Sequence, residues 1–234
     1  MRDKIKVIAF DADDTLWVNE PFFHETEEKF CALLEDYLPH HSISQELFKT
    51  EMQNLHLYGY GVKGFMLCMI ETINRVSNGT ASIRLVTEAI QLGKELLEKP
   101  IELLDGVQEV LSALQGQYRL VVATKGDLLD QERKLKKSNL QNYFHHIEIM
   151  SDKQAGDYRK LLRHLDCEPA NFLMLGNSIK SDILPVLELE GFAGHIPYHT
   201  TWAHERYDNE LEHPNLLRLN TLSDILQFVD RSPD

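Results

Sequence analysis

Hydrophobic and polar positions along the chain fall into two regimes. Residues 5–10 (IKVIAF) form a short, β-rich apolar run that stops abruptly at Asp11, the pattern of a buried strand. After Trp17 the period becomes helical: Phe30, Leu33, Leu34, Tyr37 and Leu38 recur at i, i+3, i+4, i+7 and i+8, a single apolar stripe that Pro39 terminates. Further helices are predicted over 44–57, 62–76 and 82–97, the middle one the most apolar. Turns at Gly59-Tyr60-Gly61 and Ser77-Asn78-Gly79-Thr80 separate them, and Pro100 closes the block. From Leu104 strands and helices alternate. Strands are predicted at 119–124 (RLVVAT), 147–150, 172–176 (FLMLG) and 193–197, with an edge strand at 216–219. The intervening helices are 106–114, 128–138, 154–165, 179–189 and 222–229.

Strands that alternate with helices of this length imply crossover connections and a mostly parallel sheet. The expected fold is therefore α/β: a Rossmann-like core with helices on both faces, built from residues 1–16 and 101–234. An all-α cap, residues 17–100, is inserted after the first strand. No internal repeats or low-complexity segments interrupt this plan.

Composition narrows the function. The chain has 234 residues, 43% of them hydrophobic, enough for one α/β core with a sizeable insertion. Its 37 acidic against 24 basic residues give a formal net charge of −13. Nucleic acid and anionic membranes both call for a basic surface, so neither is an expected partner. Cys31, Cys68 and Cys167 are widely spaced without a CxxC pair, which suggests free thiols rather than a zinc site or a disulfide framework. Acidic residues interrupt the N-terminal apolar run, and no stretch approaches the roughly 20 apolar residues of a membrane span. The expectation is a soluble cytoplasmic protein.

Active sites of open parallel sheets lie at the carboxyl ends of the strands. The residues just beyond each predicted strand are rich in chemistry: Asp11-Ala12-Asp13-Asp14-Thr15, then Thr124-Lys125-Gly126-Asp127, Ser151-Asp152-Lys153, Asn177-Ser178 with Lys180-Ser181-Asp182, and His199. Asp11 and Asp13 are two residues apart where an extended strand ends, so their side chains can emerge toward the same side. Each feature also has a structural reading. DADDT can close the strand as an Asx-type turn, Asp182 can cap a helix, and Lys125 and Lys153 can be surface lysines. The segment 199–205 (HTTWAHE) lacks HExxH spacing and reads as a loop near the site mouth.

These motifs, in this order, resemble the phosphatase branch of the haloacid dehalogenase superfamily. DADDT (11–15) looks like the DxDxT signature. ATKG (123–126) matches the strand-then-threonine motif, Lys153 stands where the third motif places its lysine, and GNSIKSD (176–182) resembles the acidic fourth motif. The resemblance implies a magnesium-dependent phosphohydrolase acting on a small phosphorylated metabolite, with Asp11 as nucleophile and Asp13 as general acid and base. It further implies phosphate contacts from Thr124, Lys125 and Lys153. Magnesium ligands are expected from Asp11, the Asp13 backbone carbonyl, Asn177 and Asp182, Asn177 replacing the aspartate that most relatives carry. Trp17, Asn19, Glu20 and Phe22 stand where relatives place a flap over the site, and Trp17, Asn19, Glu20 and His199 are substrate-side candidates; packing between cap and core is the competing role for the aromatic cluster. Asp13 counts against the dehalogenase branch, which needs no acid two residues after the nucleophile. A phosphoglucomutase-like phosphotransferase and a catalytically idle phospho-ligand-binding protein stay open as alternatives. Neither the substrate nor the oligomeric state is legible.

Overall fold

The computed structural model describes residues 3–229. Residues 1–2 and 230–234, assigned above to the core, lie outside the described residues. Six strands, β1 (Val7–Phe10), β2 (Arg119–Lys125), β3 (His146–Met150), β4 (Phe172–Gly176), β5 (Phe192–His195) and β6 (Leu216–Arg218), form a sheet of order β3-β2-β1-β4-β5-β6. Every neighbouring pair is parallel, the edge strand β6 included. The helices are α1 (Glu20–Leu33), α2 (His40–Tyr58), α3 (Val62–Val76), α4 (Ile83–Glu98), α5 (Val107–Leu114), α6 (Leu128–Ser138), α7 (Ala155–His164), α8 (Leu184–Glu188) and α9 (Leu226–Val229).

Because strand side chains alternate between faces, the central strands supply two separate cores. Ile8, Phe10, Leu120, Val122, Leu173 and Leu175 pack with Val107, Val110 and Leu111 of α5, Leu135 of α6 and Val229 of α9. Their neighbours Val7, Ala9, Val121, Ala123, Phe172 and Met174 pack with Tyr158, Leu161 and Leu162 of α7 and Val186 and Leu187 of α8. Burial on both faces explains why these strands read as continuous apolar runs.

The chain divides into two compact units. One comprises the chain up to Glu20, Ile101–Lys125 and the chain from Gln131 onward; the other comprises Pro21–Pro100 with Gly126–Asp130. The helical unit has its own core, in which Phe30, Cys31, Ile43, Leu47, Phe65, Met69, Ile73 and Ala89 are buried. The division differs from the expected one at its first boundary, which lies after Glu20, and in the addition of Gly126–Asp130, for local reasons. Residues 17–20 stay with the sheet because Val18 N–H donates to the Glu102 carbonyl (2.9 Å) and Asn19 and Glu20 N–H donate to the Asp14 carboxylate (2.9 and 3.0 Å). Asp127 joins the helical unit through its ion pair with Lys63 at 2.9 Å.

Two helices differ from the periodicity. The apolar stripe runs to Leu38, but α1 stops at Leu33, and i→i+3 bonds at Leu34 and Tyr37 tighten the chain into turns. The predicted helix 179–189 is broken into a π-helical turn, Ile179–Ile183, followed by α8. Pro185 lacks the N–H that would bond the Ser181 carbonyl in a continuous α-helix. The Tyr158 hydroxyl donates to that carbonyl instead, at 3.0 Å.

Candidate active site

Strand order reverses between β1 and β4, and the crevice at the carboxyl ends of such a pair is where a doubly wound sheet binds ligands. Asp11 follows β1 directly, with its N–H bonded to the Leu175 carbonyl of β4 (2.8 Å). Lys153 arrives from the loop after β3. Its ammonium is 2.5 Å from Asp11 Oδ1 and 2.7 Å from Asp182 Oδ1, and the residue is only 1% exposed. A buried lysine in this position is held by its charge partners and is no surface residue. The π-helical turn delivers Asp182, whose Oδ2 accepts from Ser178 N–H (3.0 Å). Gly176 makes room for it: a Cβ there would stand 2.2 Å from Asp182 Oδ2. The Thr15 hydroxyl lies 3.3 Å from both Asp11 Oδ2 and Asn177 Oδ1. Asp11, Thr15, Lys153, Asn177 and Asp182 are thus brought together from three loops.

The electrostatics of this cluster are those of a site short of positive charge. Burial pushes the Asp11 carboxyl up to about 7 against the opposing pull of the Lys153 ammonium, with Asp182 adding to the rise. Burial disfavours the Lys153 ammonium, but Asp11 and Asp182 outweigh it and hold its pKa above the usual lysine range. Two buried carboxylates share one ammonium. Among the described residues no group of three or more His, Cys, Asp or Glu is arranged to hold a metal ion. The convergent donors are nevertheless all hard oxygens, two carboxylates and the Asn177 amide, a set that suits magnesium and fits a cation-deficient site. The Asp13 side chain does not join them, so only its backbone carbonyl is a candidate ligand.

Asp13 instead faces α6. Its Oδ1 accepts from Trp17 Nε1 (2.7 Å) and Lys134 Nζ (3.0 Å), and its Oδ2 accepts from Gln131 Nε2 (2.8 Å). Asp14 adopts a left-handed conformation (φ 62°) that aspartate tolerates, and this lets its carboxylate take the Asn19 and Glu20 N–H groups. Burial pushes the Asp14 carboxyl up to about 7. Thr124 is buried at the end of β2, with its hydroxyl 3.5 Å from the Lys125 carbonyl.

Three of the expected site residues have partners within the protein. Trp17 is 1% exposed within the core cluster of Phe10, Leu16 and Val107, where its indole packs and donates to Asp13. Lys125 is bound to Glu205 (2.5 Å) and Ser181 (2.8 Å), and its charge is neutralised there. His199 stands on the exposed loop after β5, stacked on Tyr198 at 4.3 Å between centroids. Asn19 accepts from Lys134 Nζ (2.7 Å), and Glu20 begins α1. From the HTTWAHE segment it is Glu205, not a histidine, that ties the loop down, accepting from Lys125, Ser178 and Ser181. Burial opposes its ionisation, but Lys125 and the two hydroxyls prevail and hold its carboxyl down at about 2. Glu205, Gln131 and Lys134 were all missed from sequence. The only signal for the last two is their i, i+3 spacing on one face of α6.

Comparison with known proteins agrees with this fold. The family model for haloacid dehalogenase-like hydrolases matches residues 5–186. A haloacid dehalogenase-like family hydrolase from Xanthomonas campestris superposes with a TM-score of 0.87 at 33% identity, covering 97% of this chain and 92% of its own. Human N-acylneuraminate-9-phosphatase is 24% identical over 118 residues, so the chain spans about half (48%) the length of this curated relative. Two more distant structures share the fold alone. They are Bacillus subtilis YfnB, a putative HAD-hydrolase bound to magnesium (16% identity, TM-score 0.62, 97% and 99% coverage), and 2-haloacid dehalogenase from Pseudomonas syringae pv. Tomato (18%, 0.58, 95% and 97%). A sheet that reverses order beside Asp11, the family model matched over residues 5–186 and a neighbour alike along almost the whole length place the chain among the haloacid dehalogenase-like hydrolases.

Proposed function

We propose that this hydrolase is a magnesium-dependent phosphatase that cleaves a small phosphorylated metabolite through a phosphoryl group carried transiently on Asp11. The observation that carries the reading is the buried Asp11–Lys153–Asp182 cluster at the switch point of the sheet, a nucleophile beside fixed positive charge and short of one more cation. An Asp11 carboxylate oxygen attacks phosphorus and the bond to the leaving oxygen breaks, while Asp13 gives that oxygen its proton. Asp13 then takes a proton from water as the water attacks the same phosphorus, which frees inorganic phosphate and restores Asp11. Lys153 neutralises charge on the phosphoryl oxygens, and Thr124 with the following amide holds them. Magnesium, held by Asp11, Asp182, Asn177 and the Asp13 carbonyl, would supply the charge that lets a carboxylate approach a phosphate dianion. The Lys125 side chain has no part in this scheme, because Glu205 already neutralises it. The helical unit, from Pro21 to Pro100, is the segment we expect to select the substrate.

Similarity to a phosphatase over half its length supports this chemistry. The dehalogenase neighbours do not outweigh it, since dehalogenation has no leaving oxygen for Asp13 to protonate. Inorganic phosphate release from a panel of phosphorylated metabolites, with magnesium and with EDTA, tests the proposal directly. Activity is expected only with magnesium and without any bisphosphate primer. Asp11→Asn, nearly isosteric, should remove at least about a thousandfold of it while leaving the melting temperature in place. Substantial turnover by that variant would exclude Asp11 as nucleophile.

A further inference from the structure

We propose that Gln131 and Lys134 of α6 are positioning residues for Asp13, a clamp that fixes where the acid/base carboxylate stands as the leaving group departs. The inference rests on the phosphatase reading above. A carboxylate turns about two torsions, and a proton donor is effective only when held in register with the oxygen it serves. Here both oxygens of Asp13 are held. Oδ1 takes Trp17 Nε1 (2.7 Å) and Lys134 Nζ (3.0 Å), and Oδ2 takes Gln131 Nε2 (2.8 Å). A carboxylate has about four acceptor positions. Among the described residues three are taken, and the one left over, on Oδ2, is the position for a proton in transit.

The clamp is costly to the fold, which argues that packing alone does not explain it. Gln131 is 5% exposed, and its Oε1 is buried without a hydrogen-bond partner among the described residues. Turning the amide round would not help, because both partners of Nε2, Asp13 Oδ2 and the Lys125 carbonyl (3.0 Å), are acceptors. An apolar side chain of similar shape would leave no orphaned oxygen. What glutamine provides there is an NH₂ group directed at Asp13. Lys134 is fixed from the other side by Asn19 Oδ1 (2.7 Å), so the segment after the DADDT turn and one face of α6 meet at the carboxylate.

A merely structural role would slow every substrate alike, whereas a misplaced acid hurts most where the leaving group most needs a proton. The test compares kcat/KM for p-nitrophenyl phosphate, whose leaving group departs readily, with that for phenyl phosphate, whose leaving group does not. In Gln131→Leu and Lys134→Met the phenyl ester should lose about 10- to 100-fold, and the nitrophenyl ester less than about threefold. Lys134→Arg, which keeps the cation, should recover most of the phenyl phosphate rate. Unchanged melting temperatures would confirm that the variants are folded. Parallel losses on both esters, or no loss on either, would overturn the clamp while leaving the phosphatase reading standing. A wild-type protein that cleaves neither ester nor any other monoester would sink both.

Discussion

Replacing Asn177 with aspartate adds a third carboxylate beside Asp11 and Asp182, and the Thr15 hydroxyl, 3.3 Å from both Asp11 and Asn177, has one proton to share between them. An empty site then becomes more negative and should hold magnesium more tightly, by about 1 kcal/mol, limited by repulsion among the carboxylates. Asn177→Asp is expected to lower the magnesium concentration for half-maximal phosphate release about fivefold, with maximal turnover little changed. An unaltered magnesium titration would show that the amide oxygen does not face the ion. Residues of this kind were legible because each directly follows an apolar run: Asp11, Thr124 and Asn177 mark where buried strands end. Gln131, Lys134 and Glu205 were not. A polar residue on an amphipathic helix or an irregular loop looks the same in sequence whether its partner is water or Asp13. Trp17 kept two readings for the complementary reason, since an aromatic beside a motif gives no sign of which way it is turned.

Single elements carry constraints that single residues do not reveal. The π-helical turn precedes Pro185, which cannot bond the Ser181 carbonyl, and the turn sets Asp182 against Lys153 and brings Ser178 and Ser181 to Glu205. Glu205 staples its loop to this turn and to the end of β2 with a side chain 12% exposed. Glu205→Gln should therefore cost about 1–2 kcal/mol at pH 7, a fall in melting temperature of roughly 3–6 °C. The sign of its pH dependence comes from a carboxyl lowered from 4.5 to about 2. The native state then binds fewer protons than the unfolded chain, so the stabilisation is complete above pH 4.5 and is lost as pH falls toward 2. The gap between the melting curves of wild type and variant should narrow from pH 7 to pH 3 and close toward pH 2. A gap that stays constant would assign the stabilisation to something other than the charged Glu205–Lys125 pair. The period of 179–189 predicted one helix because its apolar spacing is helical throughout. Periodicity records which side chains are buried, not which carbonyl loses its donor.

At the scale of the whole molecule, the candidate metal donors are assembled only by folding: Asp11 and Asp182 lie on loops that β1–β4 pairing makes adjacent. The unfolded chain has no such site, so magnesium should stabilise the native state by mass action. At about a hundred times the dissociation constant the gain is about 2.7 kcal/mol, or roughly 5–10 °C in melting temperature, and Asp182→Asn should lose most of it. Identical melting with magnesium and with EDTA would argue against a resident ion. Among the described residues no helix is long and apolar enough to cross a membrane, and the sheet is wholly parallel. The sequence by itself determined the alternation of buried strands and helices, the helical block and the strand-end positions of Asp11, Thr124, Lys153 and Asn177. Those follow from local period and from where apolar runs stop, both written in neighbouring residues. Tertiary structure alone decided the strand order, the pairing of Lys153 with both Asp11 and Asp182, the diversion of Lys125 to Glu205 and the clamp on Asp13. Each of these joins residues far apart in the chain, and such contacts depend on how buried charges find partners once the sheet has closed over them.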